Sequence, residues 1–125
     1  MKVEIINYLK TERISLDYWE LTDDFIVSID LKDIVVPKGF VTDGSSTPCI
    51  LWSLCPPMAG YFGEAGVVHD FLYNVRSNIT DRQYADQVFK EIGIYRGASS
   101  ITANLLYYGL RLLGGSRWKK NMNMK

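Results

Sequence analysis

The residues in this sequence best suited to chemistry are the single histidine, His69, and the aspartates Asp70 and Asp86. Helical periodicity predicts two helices around a turn at about residues 77–79. Residues equidistant from such a turn lie at the same height on facing helices, and His69 and Asp86 are equidistant from it. Asp86 can then accept a hydrogen bond from one imidazole nitrogen, which leaves the other nitrogen to take a proton. This pairing predicts a general base and the residue that orients it.

A second group of residues offers oxygen ligands for a metal ion. Asp70 points about 100° further round the helix than His69, so it faces a different neighbour. Asp43 and Gly44 lie in the preceding loop and supply a carboxylate and a backbone carbonyl. Calcium accepts such mixed oxygen ligands and tolerates irregular geometry. The hypothesis is a calcium site formed by Asp43, Gly44 and Asp70.

Both features also have structural interpretations. A histidine beside an aspartate is commonly a polar pair that locks two helices together, and Asp86 could equally be a solvated position. The run Asp43-Gly44-Ser45-Ser46 is also ordinary turn chemistry. Ser45 and Ser46 could act as nucleophiles only within reach of His69, and no strand-turn-helix elbow surrounds them.

The elements that must position these residues change character near residue 50. Alternating apolar and polar residues predict an antiparallel β-meander over about residues 3–42, with breaks at Thr11-Glu12 and Thr22-Asp23-Asp24 and a short last strand at 33–36. Residues 43–60 are rich in Gly, Ser, Thr and Pro and predict a long loop. Three helices follow, with a central antiparallel hairpin, so the predicted fold class is α+β.

Caps and stops delimit these helices. The first is predicted to run from Tyr61 to about Arg76. The second is predicted to begin at Thr80, which forms a capping box with Gln83, and to end at Gly93. Its predicted buried residues are Ala85, Val88, Phe89 and Ile92. The third helix is predicted to begin at Ser99 or Ser100 and to end at Gly114-Gly115, and its apolar stripe consists of Ile101, Leu105, Tyr108 and Leu112.

Composition excludes several classes of protein. A chain of 125 residues predicts one domain, assigned to residues 1–114, followed by a basic tail at 115–125. One histidine and two cysteines cannot build a structural zinc site or one with several histidines, which excludes zinc hydrolases. The net charge of zero combines a body of nine basic and 14 acidic residues with a final 15 residues that carry five basic ones. The acidic body would repel phosphate, so nucleic-acid binding is not expected.

Three blocks carry a family resemblance: VPKGFVTDGSSTP at 36–48, GEAGVVHDFLY at 63–73 and DRQYADQVF at 81–89. They resemble the DUF1353 family, a group of small proteins found in bacteriophages and prophages, and they occur in the family's order. The resemblance extends from about residue 20 to 114. It implies a phage or prophage origin and a shared fold, without implying a reaction.

The segment His69-Asp70-Phe71-Leu72-Tyr73 is also similar to the histidine-aspartate helix of secreted phospholipases A2. In the bacterial branch of that superfamily a D-G-x-S loop precedes this helix and a second helix returns an aspartate. The run 43–46 matches the loop and Asp86 matches the returning aspartate. This resemblance implies catalytic roles for His69, Asp86 and Tyr73, and calcium ligation by Asp43, the Gly44 carbonyl and Asp70. Calcium would stabilise the oxyanion formed from an ester.

Two functions are therefore open. The first is a calcium-assisted hydrolase of lipid or another ester at the cell envelope. The alternative is a non-catalytic virion, tail-assembly or interaction protein with other phage proteins as partners, in which His69 and Asp86 are structural. Arg117, Trp118 and Lys119-Lys120 in the tail favour an anionic membrane surface, unless the tail is simply a solvated terminus. With no signal peptide and no transmembrane segment in the sequence, the expected location is the host cytoplasm or the virion.

Overall fold

The computed structural model describes residues 1–16, 18–42, 60–75 and 82–113. Strands come first and helices follow, so the α+β class is confirmed. The described strands are β1 (Val3–Ile5), β2 (Thr11–Arg13), β3 (Trp19–Leu21), β4 (Phe25–Ile29), β5 (Lys32–Val36) and β6 (Val41–Thr42). A 3₁₀ turn at Gly60–Phe62 leads into α1 (Gly63–Val75), which is followed by α2 (Arg82–Arg96) and α3 (Ser100–Leu113). Residues 43–59 of the predicted loop, the cap Thr80 and the basic tail lie outside the described residues.

Strand β4 is the centre of the first antiparallel sheet, where it lies between β1 and β5. Its side chains alternate as the sequence predicted, and Phe25, Val27 and Ile29 are buried on one face. The two-residue loop to β5 consists of Asp30 and Leu31, whose φ angles are 51° and 68°. Positive φ at both positions is the type I′ geometry that matches the twist of a hairpin.

The second sheet has the order β2-β3-β6, so the strands form two sheets rather than one continuous meander. Thr11-Glu12, which was predicted as a break, lies within β2. The side chain of Asn7 marks where the chain leaves the first sheet. Its amide donates to the Asp24 carbonyl at 2.7 Å and accepts from the Ile26 N–H at 2.8 Å. Through these side-chain bonds, Asn7 continues the pairing of β1 with β4 for one more position. The backbone then turns toward the second sheet.

Helices α1 and α2 form the predicted antiparallel hairpin. His69 pairs with Asp86, and Glu64 pairs with Arg96 further from the turn, which is the contact order of antiparallel helices. Helix α2 packs against α1 on one side and α3 on the other. Its buried apolar side chains include the four that the sequence predicted: Ala85, Val88, Phe89 and Ile92. None of the described helices combines the length and apolar character needed to span a membrane.

Helix α2 runs through Gly93, where the sequence predicted its end, and stops at Arg96. The stop comes from Gly97, which has a φ of 118°. The Gly97 N–H donates to the Ile94 carbonyl and the Ala98 N–H donates to the Gly93 carbonyl, both at 3.0 Å. This pair of bonds is a Schellman motif, so Gly97 rather than Gly93 is the glycine that terminates the helix.

Gly93 is instead a packing position. A Cβ atom there would lie 2.0 Å from Cε1 of Phe62, whose ring stacks on Phe89 at a centroid distance of 5.1 Å. We expect Gly93→Ala to lower the free energy of unfolding, because overpacking costs about 1–3 kcal/mol. At Gly109, a partly buried position on α3, helix propensity favours the same substitution by about 0.5–1 kcal/mol. Urea denaturation measures both, and equal stabilisation by the two variants would contradict the packing role.

Helix α3 presents its predicted apolar stripe to solvent. The Ser99 hydroxyl accepts the Thr102 N–H at 3.2 Å, so Ser99 is the N-cap. The side chains that enter the core are Ala103, Leu106 and Leu110. The exposed stripe, called the outer face below, consists of Ile101, Leu105, Tyr108 and Leu112. Helix α3 therefore has two apolar faces. The face that packs into the core is not the stripe that the sequence pattern predicts.

Candidate functional site: a buried carboxylate shared by three helices

His69 on α1 and Asp86 on α2 meet as the hairpin register predicts. The His69 Nε2 atom lies 2.7 Å from Oδ1 of Asp86, and both residues are fully buried. The imidazole is held between aromatic rings. Its centroid lies 4.2 Å from that of Tyr73 and 5.5 Å from that of Phe89. These two ring contacts and the hydrogen bond to Asp86 therefore fix the orientation of the imidazole.

Asp86 accepts hydrogen bonds from side chains on two other helices. Besides the contact with His69, the Tyr73 hydroxyl donates to Oδ1 at 2.7 Å. On the opposite side of the carboxylate, Nη1 of Arg111 on α3 donates to Oδ2 at 3.1 Å. A buried carboxylate is costly unless it is paired and hydrogen-bonded, and Asp86 meets both conditions. The three helices thus converge on one carboxylate.

These contacts keep Asp86 ionised. Burial on its own would raise the pKa of Asp86. The hydrogen bond and electrostatic interaction with His69, together with the hydrogen bonds from Tyr73 and Arg111, outweigh burial and lower that pKa below its ordinary value. An ionised carboxylate can only accept hydrogen bonds, so Nε2 of His69 carries the proton that is shared with Asp86. In the neutral ring Nδ1 is then an acceptor, and it is buried with no hydrogen-bond partner in the described part of the chain.

Tyr73 is a hydrogen-bond donor in this cluster. Burial raises the pKa of its phenol far above the ordinary value, and the hydrogen bond and negative charge of Asp86 raise it further, against a smaller opposing effect of Arg82. The phenol is therefore protonated near neutral pH and donates to the carboxylate. It holds Oδ1 of Asp86 through its hydrogen bond, and its ring lies next to the imidazole of His69.

Arg82 positions the helix that carries Arg111. Its Nη2 atom donates to the carbonyls of Leu110 and Arg111, at 2.6 Å in each case. Carbonyls in the last turn of a helix lack partners within the helix, so this contact fixes the end of α3. Arg111 can then reach Asp86. Neither arginine could be assigned to the site from the sequence, because the position of α3 beside the hairpin has no local signal.

Asp70 lies in a separate environment, as its position on α1 predicts. It is buried, and its Oδ2 accepts from the Thr42 hydroxyl at 2.9 Å. Its Oδ1 accepts from Nδ2 of Asn74 at 2.9 Å. Thr42 is the last described residue before Asp43, so the chain enters the segment 43–59 beside Asp70.

The structure places the predicted site residues in different surroundings. The structure brings together His69, Asp86 and Tyr73, and it places Asp70 one position away on another side of α1. The other predicted calcium ligands, Asp43 and Gly44, lie outside the described residues, as do Ser45 and Ser46. Among the described residues, Asp70 accepts from the Thr42 hydroxyl and the Asn74 amide, and carboxylate and hydroxyl oxygens are hard ligands of the kind that calcium takes.

The chain was compared with curated proteins, solved structures and family models. No curated protein and no solved structure matches the chain. A family model described as "Protein of unknown function (DUF1353)" matches residues 19–110, which is well over half of the chain and includes every member of the cluster around Asp86 except Arg111. The chain belongs to the DUF1353 family.

Proposed function

We propose that this protein is a hydrolase in which His69 is the general base and Asp86 orients it. One observation carries the proposal: His69 Nε2 is bonded to Asp86, while Nδ1 is buried with no partner among the described residues. A histidine held only for structure commonly has both nitrogens bonded, since an unmade buried hydrogen bond costs about 1–3 kcal/mol. An imidazole with one nitrogen fixed and the other available is the arrangement of a general base.

The proposed reaction is hydrolysis of an ester. Nδ1 of His69 accepts a proton from water, and the water oxygen forms a bond to the carbonyl carbon. The bond from that carbon to the leaving oxygen then breaks, and Nδ1 returns the proton to the leaving alcohol. During these steps Asp86 holds the Nε2 proton and balances the charge of the imidazolium. Tyr73 and Arg111 hold the carboxylate in place.

Calcium is the proposed cofactor, with Asp43, the Gly44 carbonyl and Asp70 as its ligands. When bound, calcium would supply positive charge for the oxyanion of the tetrahedral intermediate. The support is the buried Asp70 carboxylate beside the Thr42 hydroxyl, one position from His69, and the similarity of 43–46 and 69–73 to phospholipase A2 motifs. Asp70 is hydrogen-bonded to Thr42 at the end of β6 and is the sequence neighbour of His69.

Lipid is the proposed substrate class and the cell envelope the proposed place of action. Both follow from the phospholipase A2-like order of loop, His-Asp helix and returning aspartate. The proposed origin is a phage or prophage, where a small hydrolase directed at the envelope would serve infection or release.

A non-catalytic role is the second candidate, and the burial of His69 favours it. The side chain is fully enclosed, and the charge of Asp86 is balanced by Arg111 without any ligand. On this alternative the cluster locks α1, α2 and α3 together in a virion, tail-assembly or interaction protein. The two functions differ in whether a substrate reaches Nδ1.

An ester panel assay with the wild-type chain separates the candidates. We expect hydrolysis of phospholipid or short-chain esters in millimolar calcium, and loss of that activity in excess EGTA. Asp70→Asn should raise the calcium concentration needed for half-maximal rate at least about tenfold, because a neutral amide binds calcium more weakly than a carboxylate. Activity that is indifferent to EGTA would remove the metal from the mechanism, and no hydrolysis of any ester would favour the structural role.

A further inference from the structure

The outer face of α3 is an unusually apolar surface for a short helix. Its four side chains are 75% (Ile101), 57% (Leu105), 61% (Tyr108) and 83% (Leu112) exposed. They follow one another at spacings of four, three and four residues, which places them in a single row. Single exposed apolar residues are normal, whereas a continuous row on one element indicates an interaction site. The opposite face of the helix is already committed to the core.

The sequence from α3 onward has charges of one sign. No acidic residue follows Glu91 in the sequence, while six basic residues do. The only charged residue on α3 is Arg111, whose guanidinium is paired with Asp86 on the inner side. The outer face itself is therefore uncharged, and four basic residues follow α3 in the sequence.

We propose that the outer face of α3 docks onto an anionic lipid surface. Apolar side chains enter the boundary between headgroups and acyl chains, and the basic residues after Leu113 are attracted to the anionic headgroups. The inference goes beyond the proposed hydrolysis, because it requires no reaction at His69. Vesicle binding without ester hydrolysis would therefore overturn the hydrolase alone.

A lipid surface suits this face better than a second copy of the chain. A helix of 14 residues is about 21 Å long, and its exposed row is about 10 Å wide. Such a strip is well short of the roughly 800 Å² that each partner buries in a stable complex. Binding to a bilayer has no such threshold, since its strength grows with each apolar side chain inserted and each basic residue near the headgroups.

Co-sedimentation of the full chain with vesicles tests the proposal. We expect binding to phosphatidylglycerol-containing vesicles, with weaker binding to pure phosphatidylcholine and at high salt. Ile101→Ser/Leu112→Ser should weaken binding at least about tenfold, because two large apolar side chains no longer insert. The matched control is Leu16→Ser/Leu31→Ser, which removes side chains that are 82% and 86% exposed but lie far from α3 in sequence.

The control variant should bind as the wild type does. Equal binding by the α3 variant, equal loss in the control, or no binding by the wild type would each overturn the proposal. Sedimentation velocity without vesicles addresses the second copy. A dimer that Ile101→Ser/Leu112→Ser converts to monomer, with no vesicle binding, would replace the lipid surface by self-association.

Discussion

Replacing His69 with glutamine is expected to lower kcat for ester hydrolysis by about 10²–10⁴-fold, which is the usual contribution of a positioned general base. The glutamine amide can donate to Asp86 in place of Nε2, so the carboxylate keeps this hydrogen bond. It has no group that takes up a proton near neutral pH. Steady-state kinetics with the ester that wild type hydrolyses best measures the loss, and circular dichroism confirms that the variant is folded.

Glu64→Gln is the matched control for this substitution. Glu64 lies on the same helix and is paired with Arg96 near the protein surface, away from Asp86. A surface ion pair contributes about 0–1 kcal/mol, so this variant should be folded and should keep the wild-type kcat. Unchanged kcat in His69→Gln would end the general-base role.

Access to the imidazole is a second, independent test. His69 is the only histidine in the chain, so carbethoxylation of histidine by diethylpyrocarbonate reports on this residue alone. If His69 is the general base, the reagent should reach Nδ1 and inactivate the protein. An unreactive His69 in the folded chain would show that the site is closed, which is the expectation for a structural lock.

The hydrogen bond between His69 and Asp86 could be predicted because it depends on local information. Two helices and a short turn determine which residues face each other, and both helices have clear periodicity. Arg111 could not be predicted in the same way. It reaches Asp86 because Arg82 fixes the end of α3, and that contact joins residues 28 and 29 positions apart. A contact between non-adjacent elements has no signature in the sequence of either one.

The helix surfaces show a related limit. On α2 the apolar stripe is the buried face, as periodicity predicts. On α3 the larger apolar residues form one row and Ala103, Leu106 and Leu110 form another, and the smaller row is buried. Side-chain hydrophobicity alone ranks the rows in the wrong order, because close packing against α2 depends on shape as well as on apolar area. The sequence also predicts the wrong role for Gly93. A glycine that accommodates a side chain such as Phe62 and a glycine that ends a helix look alike in sequence.

Asp86→Asn is expected to lower the free energy of unfolding at pH 7 by about 3 kcal/mol, because it breaks a buried charge pair from one side. Three donors converge on Asp86, from His69, Tyr73 and Arg111, and an asparagine has only one oxygen to accept them. Its amide nitrogen must face at least one donor, and Arg111 loses its counter-charge. Arg111 is about one-third exposed, so water compensates part of this loss. The expected decrease in unfolding free energy therefore lies at the lower end of the range for broken buried ion pairs.

The same substitution should change how stability depends on pH. The pKa of Asp86 is lower in the folded chain than its ordinary value of 3.8. The carboxylate therefore contributes its full stabilisation above about pH 5, and this stabilisation is lost as pH falls through the folded pKa. We expect the difference in unfolding free energy between wild type and Asp86→Asn to shrink from pH 6 toward pH 3 in urea titrations. Asp33→Asn, at an exposed position on β5, should stay within about 0.5 kcal/mol of wild type throughout. A difference for Asp86→Asn that stays constant with pH would mean that the charge of Asp86 is not what stabilises the three-helix junction.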